Sequence, residues 1–160
     1  MSKFRKYLPL AVSIGIAWGA AGLSYLLTGR SNMEGYAALN QPPLAPPGWL
    51  FPVAWTILYI LMGISSYLVL VSGRPRETIH NALILYAIQL FFNFLWPIVF
   101  FRWEKPFAAL LLLILLLILV VAMLRQFRLA EPLAGWLIVP YLLWLVVALW
   151  LNLGIWWLNR

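Results

Sequence analysis

The side chains that could carry chemistry in this chain are indoles, phenols and amides, not acids, thiols or imidazoles. Its 160 residues include 10 Trp and 7 Tyr, but one His (His80), no Cys and no Asp. Lack of cysteine excludes disulfides, thiolate metal sites and cysteine nucleophiles. A Ser-His-Asp triad or a metal cluster has almost no raw material. What remains is recognition by flat apolar surfaces with a few polar anchors. Three sets of residues recur at helical intervals, which places each set on one helix face: Trp55, Tyr59 and Met62; Gln89, Asn93 and Trp96; Tyr141, Trp144, Ala148 and Asn152.

The elements carrying these faces follow from composition. The chain is 65% hydrophobic and 9% charged, against about 45–50% and about 25% in soluble domains. Five stretches without Asp, Glu, Lys or Arg, at 8–27, 50–71, 78–101, 107–124 and 133–158, are each long enough as helices to cross a hydrocarbon core of about 30 Å. None alternates as a barrel strand would. The expected fold is therefore an all-α integral membrane protein, one domain over residues 1–160, with five transmembrane helices. The first stretch follows Lys3, Arg5 and Lys6 and imitates a secretory signal. Its length, and the small-xxx-small pair Gly15 and Gly19 that suits close helix packing, favour a retained helix. The net charge of +7 sits in tails and loops, where it reads as topology and lipid contact, not nucleic-acid binding. Seven basic residues on the N-terminal side against four on the other place the N-terminus in the cytoplasm and the C-terminus opposite.

The first loop, 28–48, differs from the short basic ones. Pro42, Pro43, Pro46 and Pro47 restrict its path, and Pro47 suits the first turn of the second helix. It is either a stiff linker or a lid over the outer end of the bundle, and its length favours the lid. At about 1.5 Å per residue, Trp55, Tyr59, Gln89, Asn93, Trp144, Ala148 and Asn152 all fall in the outer half of the bilayer beneath it. Amides are costly in lipid, so Gln89, Asn93 and Asn152 should face inward. Such residues often do no more than join helices. Three aromatic-polar faces at one depth favour a cavity for a planar hydrophobic ligand. The fourth stretch, nearly pure Leu, Ile, Val and Ala, is expected to meet lipid broadly, and His80 to be interfacial. All four acids (Glu34, Glu77, Glu104, Glu131) lie outside the spans, which speaks against a proton-coupled transporter.

The residues also form an ordered pattern. Tyr36-x-x-Leu39 precedes Pro42-Pro43-x-x-Pro46-Pro47-x-Trp49. Trp55-x-x-x-Tyr59, Met62-Gly63 and Ser66-Tyr67-Leu68-Val69 come next. Gln89-x-x-x-Asn93-x-x-Trp96 leads to Phe100-Phe101. Pro140-Tyr141-x-x-Trp144 and Ala148-x-x-Leu151-Asn152 complete it. The chain resembles the TspO/translocator protein (MBR) family over nearly its whole length. The resemblance implies a five-helix bundle, commonly a homodimer, that binds porphyrins such as protoporphyrin IX and haem, and benzodiazepine-type ligands, without an intrinsic cofactor. By motif position, Trp55, Tyr59, Asn93, Trp144 and Ala148 would line the pocket, and Tyr36 with Pro42–Pro47 would cap it. Trp49, Phe51, Gln89, Trp96, Tyr141 and Asn152 complete the candidate set. The implied roles are porphyrin transport, sensing or stress regulation; alternatives are light-dependent porphyrin degradation through Trp55 and Trp144, and a sterol translocator or scaffold. Leu44 stands where the family often has an aromatic, Ala54 where it has Val, and Leu149 where it has a small hydroxyl residue. Tyr141 has no nearby basic residue, so the C-terminal sterol motif is missing, while Arg5-x-Tyr7-x-x-Leu10 fits only the weak reversed pattern.

Overall fold

The computed structural model describes residues 3–28 and 31–160, so Gly29 and Arg30 of the expected lid lie outside the described residues. Six α-helices follow one another: α1 (Lys3–Thr28), α2 (Ser31–Ala38), α3 (Leu50–Leu70), α4 (Arg76–Pro97), α5 (Pro106–Ala130) and α6 (Pro132–Leu158). All but α2 are long and apolar enough to cross a membrane. No strand occurs among the described residues. The five long helices close into a ring. α1 packs on α3, α3 on α6, α6 on α5, α5 on α4, and α4 returns to α1.

Helix boundaries follow proline and charge. Pro106 and Pro132 occupy the first turns of α5 and α6, where a missing N–H costs nothing. Glu131 alone joins these helices, and its carboxylate accepts from Leu133 N at 3.4 Å. α5 therefore runs past residue 124, where charge suggested an end, and carries Arg125 and Arg128 on its last turns. Arg128 accommodates this by laying its stem over Gly135 and its guanidinium 5.6 Å from the Trp136 ring.

α5 is less broadly lipid-facing than its composition suggests. Leu113, Leu116, Val120, Met123 and Phe127 form a fully buried stripe, while Leu111, Ile114, Leu115 and Ile118 point outward. Composition conceals this because both faces are apolar.

Pro97 ends α4. It cannot donate to the Asn93 carbonyl, and the chain widens into a π-helical segment, Ile98–Arg102, closed by Trp103 N donating to Ile98 O at 2.9 Å. This wide turn carries Phe100 and Phe101 to the inner surface.

Within the chain, Gly15 and Gly19 meet nothing within 4 Å, so their small-residue face is open to a second copy; α1 makes a close approach at Gly63 of α3, where a Cβ would lie 2.6 Å from Ile14 Cα. Two expectations change. The first loop contains α2, since its prolines begin only at Pro42 and leave 31–38 free to coil. Pro47 precedes α3 in a turn in which Leu50 N donates to Pro47 O at 2.9 Å. His80 is exposed near the start of α4.

Candidate functional site

The half of the ring beneath α2 encloses a cavity of about 580 Å³, within the range of small-molecule sites. α3 contributes Phe51, Trp55 and Tyr59; α4 and its wide turn contribute Asn93, Trp96, Phe100 and Phe101; α6 contributes Trp144, Ala148 and Asn152. Tyr36 of α2 reaches in from above. α5 supplies no lining residue, because its buried stripe is spent on packing against α4 and α6.

The walls are aromatic. Trp55 stacks on Tyr59 with ring centroids 5.5 Å apart and meets Tyr141 edge-on at 6.2 Å. Phe51 bridges Tyr36 at 5.2 Å and Trp144 at 5.7 Å, both edge-on. These separations suit aromatic pairing. Trp96 stacks on Phe100 at 5.2 Å.

A chain of hydrogen bonds forms the floor. Tyr59 Oη donates to Asn93 Oδ1 at 2.5 Å, Asn93 Nδ2 to Tyr141 Oη at 2.9 Å, and Tyr141 Oη to Gln89 Oε1 at 3.0 Å. Gln89 Nε2 ends the chain on Met62 Sδ at 3.8 Å. A second set joins three helices: Trp96 Nε1 donates to Asn152 Oδ1 at 3.1 Å, and Asn152 Nδ2 to Pro106 O at 2.9 Å. The indole N–H groups of Trp55 and Trp144, both cavity-lining residues, make no hydrogen bond to the described residues.

The candidate residues thus separate into layers. Tyr36, Phe51, Trp55, Tyr59, Asn93, Trp96, Trp144, Ala148 and Asn152 line the cavity. Gln89 and Tyr141 are fully buried below it and do not line it; Tyr141 holds Asn93, and Gln89 holds Tyr141. Pro42, Pro46 and Trp49 also lie off its surface. Pro42 packs where a Cβ on Gly154 would come within 2.6 Å of its ring. Pro46 O accepts from Tyr36 Oη at 3.0 Å, and Trp49 faces out, 65% exposed. Burial raises the Tyr36 phenol above its ordinary range.

The capping segment is fastened to α6. Asn159 receives Asn40 N at 3.0 Å on its Oδ1 and returns Nδ2 to Asn40 O at 2.9 Å. Trp150 Nε1 donates to Pro43 O at 3.4 Å.

α1 completes the cavity with Trp18, Gly22, Ser24, Tyr25 and Thr28, none of which stood out in the sequence. Ser24 was the available signal: a hydroxyl inside an apolar helix, here donating to Phe94 O at 3.0 Å. Trp18, Tyr25, Pro52 and Thr56 line the cavity and are also exposed. The cavity's mouth therefore lies between α1 and α3.

Residues 10–158 match the TspO/MBR family. The chain belongs to that family. Among its TspO/MBR relatives, a tryptophan-rich protein TspO of Chlorobaculum tepidum is 38% identical over 158 residues, 97% of this chain and 98% of that one. Protein CrtK of Rhodobacter capsulatus is 40% identical over 124 residues, 78% of each chain. The translocator protein of Ovis aries is 37% identical over 123 residues, 76% of this chain and 72% of that one. With five long apolar helices and this kinship, the protein is an integral, multi-pass membrane protein.

Proposed function

We propose that this TspO/MBR protein binds a tetrapyrrole, such as protoporphyrin IX or haem, or a benzodiazepine-like drug, in the outer-half cavity, and acts in porphyrin transport or sensing. The carrying observation is an aromatic-walled cavity with two unengaged indole N–H donors, Trp55 and Trp144, and no charged lining residue. Flat aromatic walls grip a planar ring by stacking and dispersion. Acidic substituents would remain at the mouth, because an unpaired carboxylate inside is too costly. His80, the chain's one imidazole, lies 13 residues before Asn93 on α4, roughly 20 Å away. A metalloporphyrin would thus be held by its ring and not through His80. Ligand arrives laterally from the membrane through the α1–α3 mouth, while the capping segment stays on α6. The basic-residue asymmetry puts the N-terminus in the cytoplasm, and a homodimer in the bilayer is the assembly the family resemblance favours.

Titration with protoporphyrin IX, followed by tryptophan fluorescence, tests this reading. Saturable quenching is expected, weakened roughly three- to tenfold in Trp144→Ala and Trp55→Phe. Unchanged affinity in both variants rejects the site.

The same two indoles favour a second reading, light-dependent porphyrin degradation, since both would contact an excited ring. Equal bleaching of bound porphyrin in wild type and Trp144→Phe rejects it.

A further inference from the structure

Arg102 stands where the apolar span Arg76–Arg102 ends, and the π-helical turn fixes where its side chain begins. Trp103 N donates to Ile98 O at 2.9 Å and Lys105 N to Val99 O at 3.1 Å. Phe101, the residue before Arg102, lines the aromatic cavity. Its ring is held edge-on by Phe100 at 4.8 Å and by Trp96 at 6.1 Å. Arg102 therefore leaves the chain at the rim of that cavity.

The side chain reaches the last turn of α1. Arg102 Nη1 donates to Leu27 O at 2.7 Å, one of the final carbonyls that lack an intrahelical donor. Tyr25 and Thr28 of the same turn line the cavity, and Tyr25 also borders its mouth. The bond to Leu27 uses one of five N–H donors. It leaves the Nε–Nη2 edge, which can take a carboxylate through two parallel bonds. Arg102 is exposed and makes no ion pair among the described residues. The other described cations at this end of the bundle are placed differently. Arg160 lies 3.4 Å over the ring of Trp157, which does not line the cavity. Lys105 is exposed, and no bond among the described residues positions its ammonium.

No charged residue lines the cavity itself, so a carboxylate inside would be unpaired. At the end of the span it meets a cation whose position is already set by α1. We propose that Arg102 pairs with a carboxylate carried on the edge of the ligand, so that the cavity selects planar aromatic acids over the same rings with neutral edges. The proposal rests on the tetrapyrrole reading above and adds the group that orients the ring. Aromatic side chains hold its plane, and the guanidinium holds its edge.

The test titrates the full chain, in phosphatidylcholine nanodiscs, with protoporphyrin IX and with its dimethyl ester, read by tryptophan quenching. The quantity compared between proteins is the ratio of acid to ester affinity, which cancels unequal partitioning of the two probes into lipid. Arg102→Gln is expected to lower this ratio about three- to tenfold by weakening the acid alone. Arg102→Lys, which keeps the charge but not the fork, should restore part of it, and Lys105→Gln should leave it unchanged. In wild type the ratio should fall as salt is raised. A ratio that does not move in Arg102→Gln, including equal weakening of both probes, leaves the guanidinium to the end of α1 or to lipid phosphate and overturns the proposal. An equal fall in Lys105→Gln makes the preference one of overall charge and also overturns it. Failure of the cavity reads differently: Trp144→Ala and Trp55→Phe then leave both affinities unchanged, and the proposal falls with the site.

Discussion

Asn93 is held from two sides, and its loss should be felt on both. Replacing it with Leu strands the Tyr59 proton and removes the donor to Tyr141. Stranded buried groups cost about 1–3 kcal/mol, and bonds between membrane helices about 0.6–1.7 kcal/mol. Asn93→Leu is expected to lose about 1–2 kcal/mol in fluorescence-detected unfolding, and Tyr59→Phe less, since it breaks one bond and strands only the Asn93 Oδ1 acceptor, whereas Asn93→Leu breaks two. Equal losses would mean that the chain of bonds is not what holds Asn93. Leu44 is the opposite case. Ala45 N donates to Pro42 O at 3.3 Å, and Leu44 has φ +63° while 97% exposed. It occupies the third position of a type II turn, which glycine prefers. Leu44→Gly is expected to raise stability by about 0.5–1 kcal/mol, the left-handed strain relieved less the extra freedom of the unfolded chain. A lower unfolding midpoint would refute this. The amides were legible in the sequence because a polar group in an apolar helix must find a partner. How far each lies from the cavity was not: periodicity gives a face but not a radius, so Gln89 and Tyr141 could not be told from Asn93.

Among the helices, the decisive contact is the crossing of α1 and α3. A Cβ on Gly63 would meet the Ile14 backbone, at 2.6 Å from Cα and 3.0 Å from N. Main chain cannot rotate aside, so Gly63→Val must push α1 outward. A loss of about 1–3 kcal/mol is expected. Gly19→Ala, which has open space around it, should be neutral or add up to about 1 kcal/mol through better helix propensity. The reverse order in thermal unfolding would place the crossing at Gly19. The spans themselves were legible because length and charge suffice to define them. The partner face of α1 was not, since the small-residue spacing marks where a helix can approach, and Met62-Gly63 offered the same permission from α3. The end of α5 was also missed: arginine stems allow a helix to continue beyond its last apolar turn when a glycine such as Gly135 makes room.

Over the whole molecule, the cavity has two boundaries that differ in how firmly they are held. The capping segment is tied to α6 by Asn40–Asn159, Trp150–Pro43 and the Pro42–Gly154 contact. The α1–α3 side is lined by exposed Trp18, Tyr25, Pro52 and Thr56, and by Gly22, which has nothing within 4 Å. Local opening follows the boundary with fewer hydrogen bonds, so a ligand should exchange beside the outer turns of α1, away from its crossing at Gly63, while the cap remains in place. The chain has no native cysteine, which makes the comparison clean. Asn40→Cys with Asn159→Cys, oxidised, should leave the rates of protoporphyrin IX association and release unchanged. Cysteines at Gly22 and Thr56 bridged by a short crosslinker should slow both rates while preserving equilibrium affinity, since a gate alters both directions alike. If the first pair stops exchange and the second does not, the cap is the gate and the mouth between α1 and α3 is not a passage.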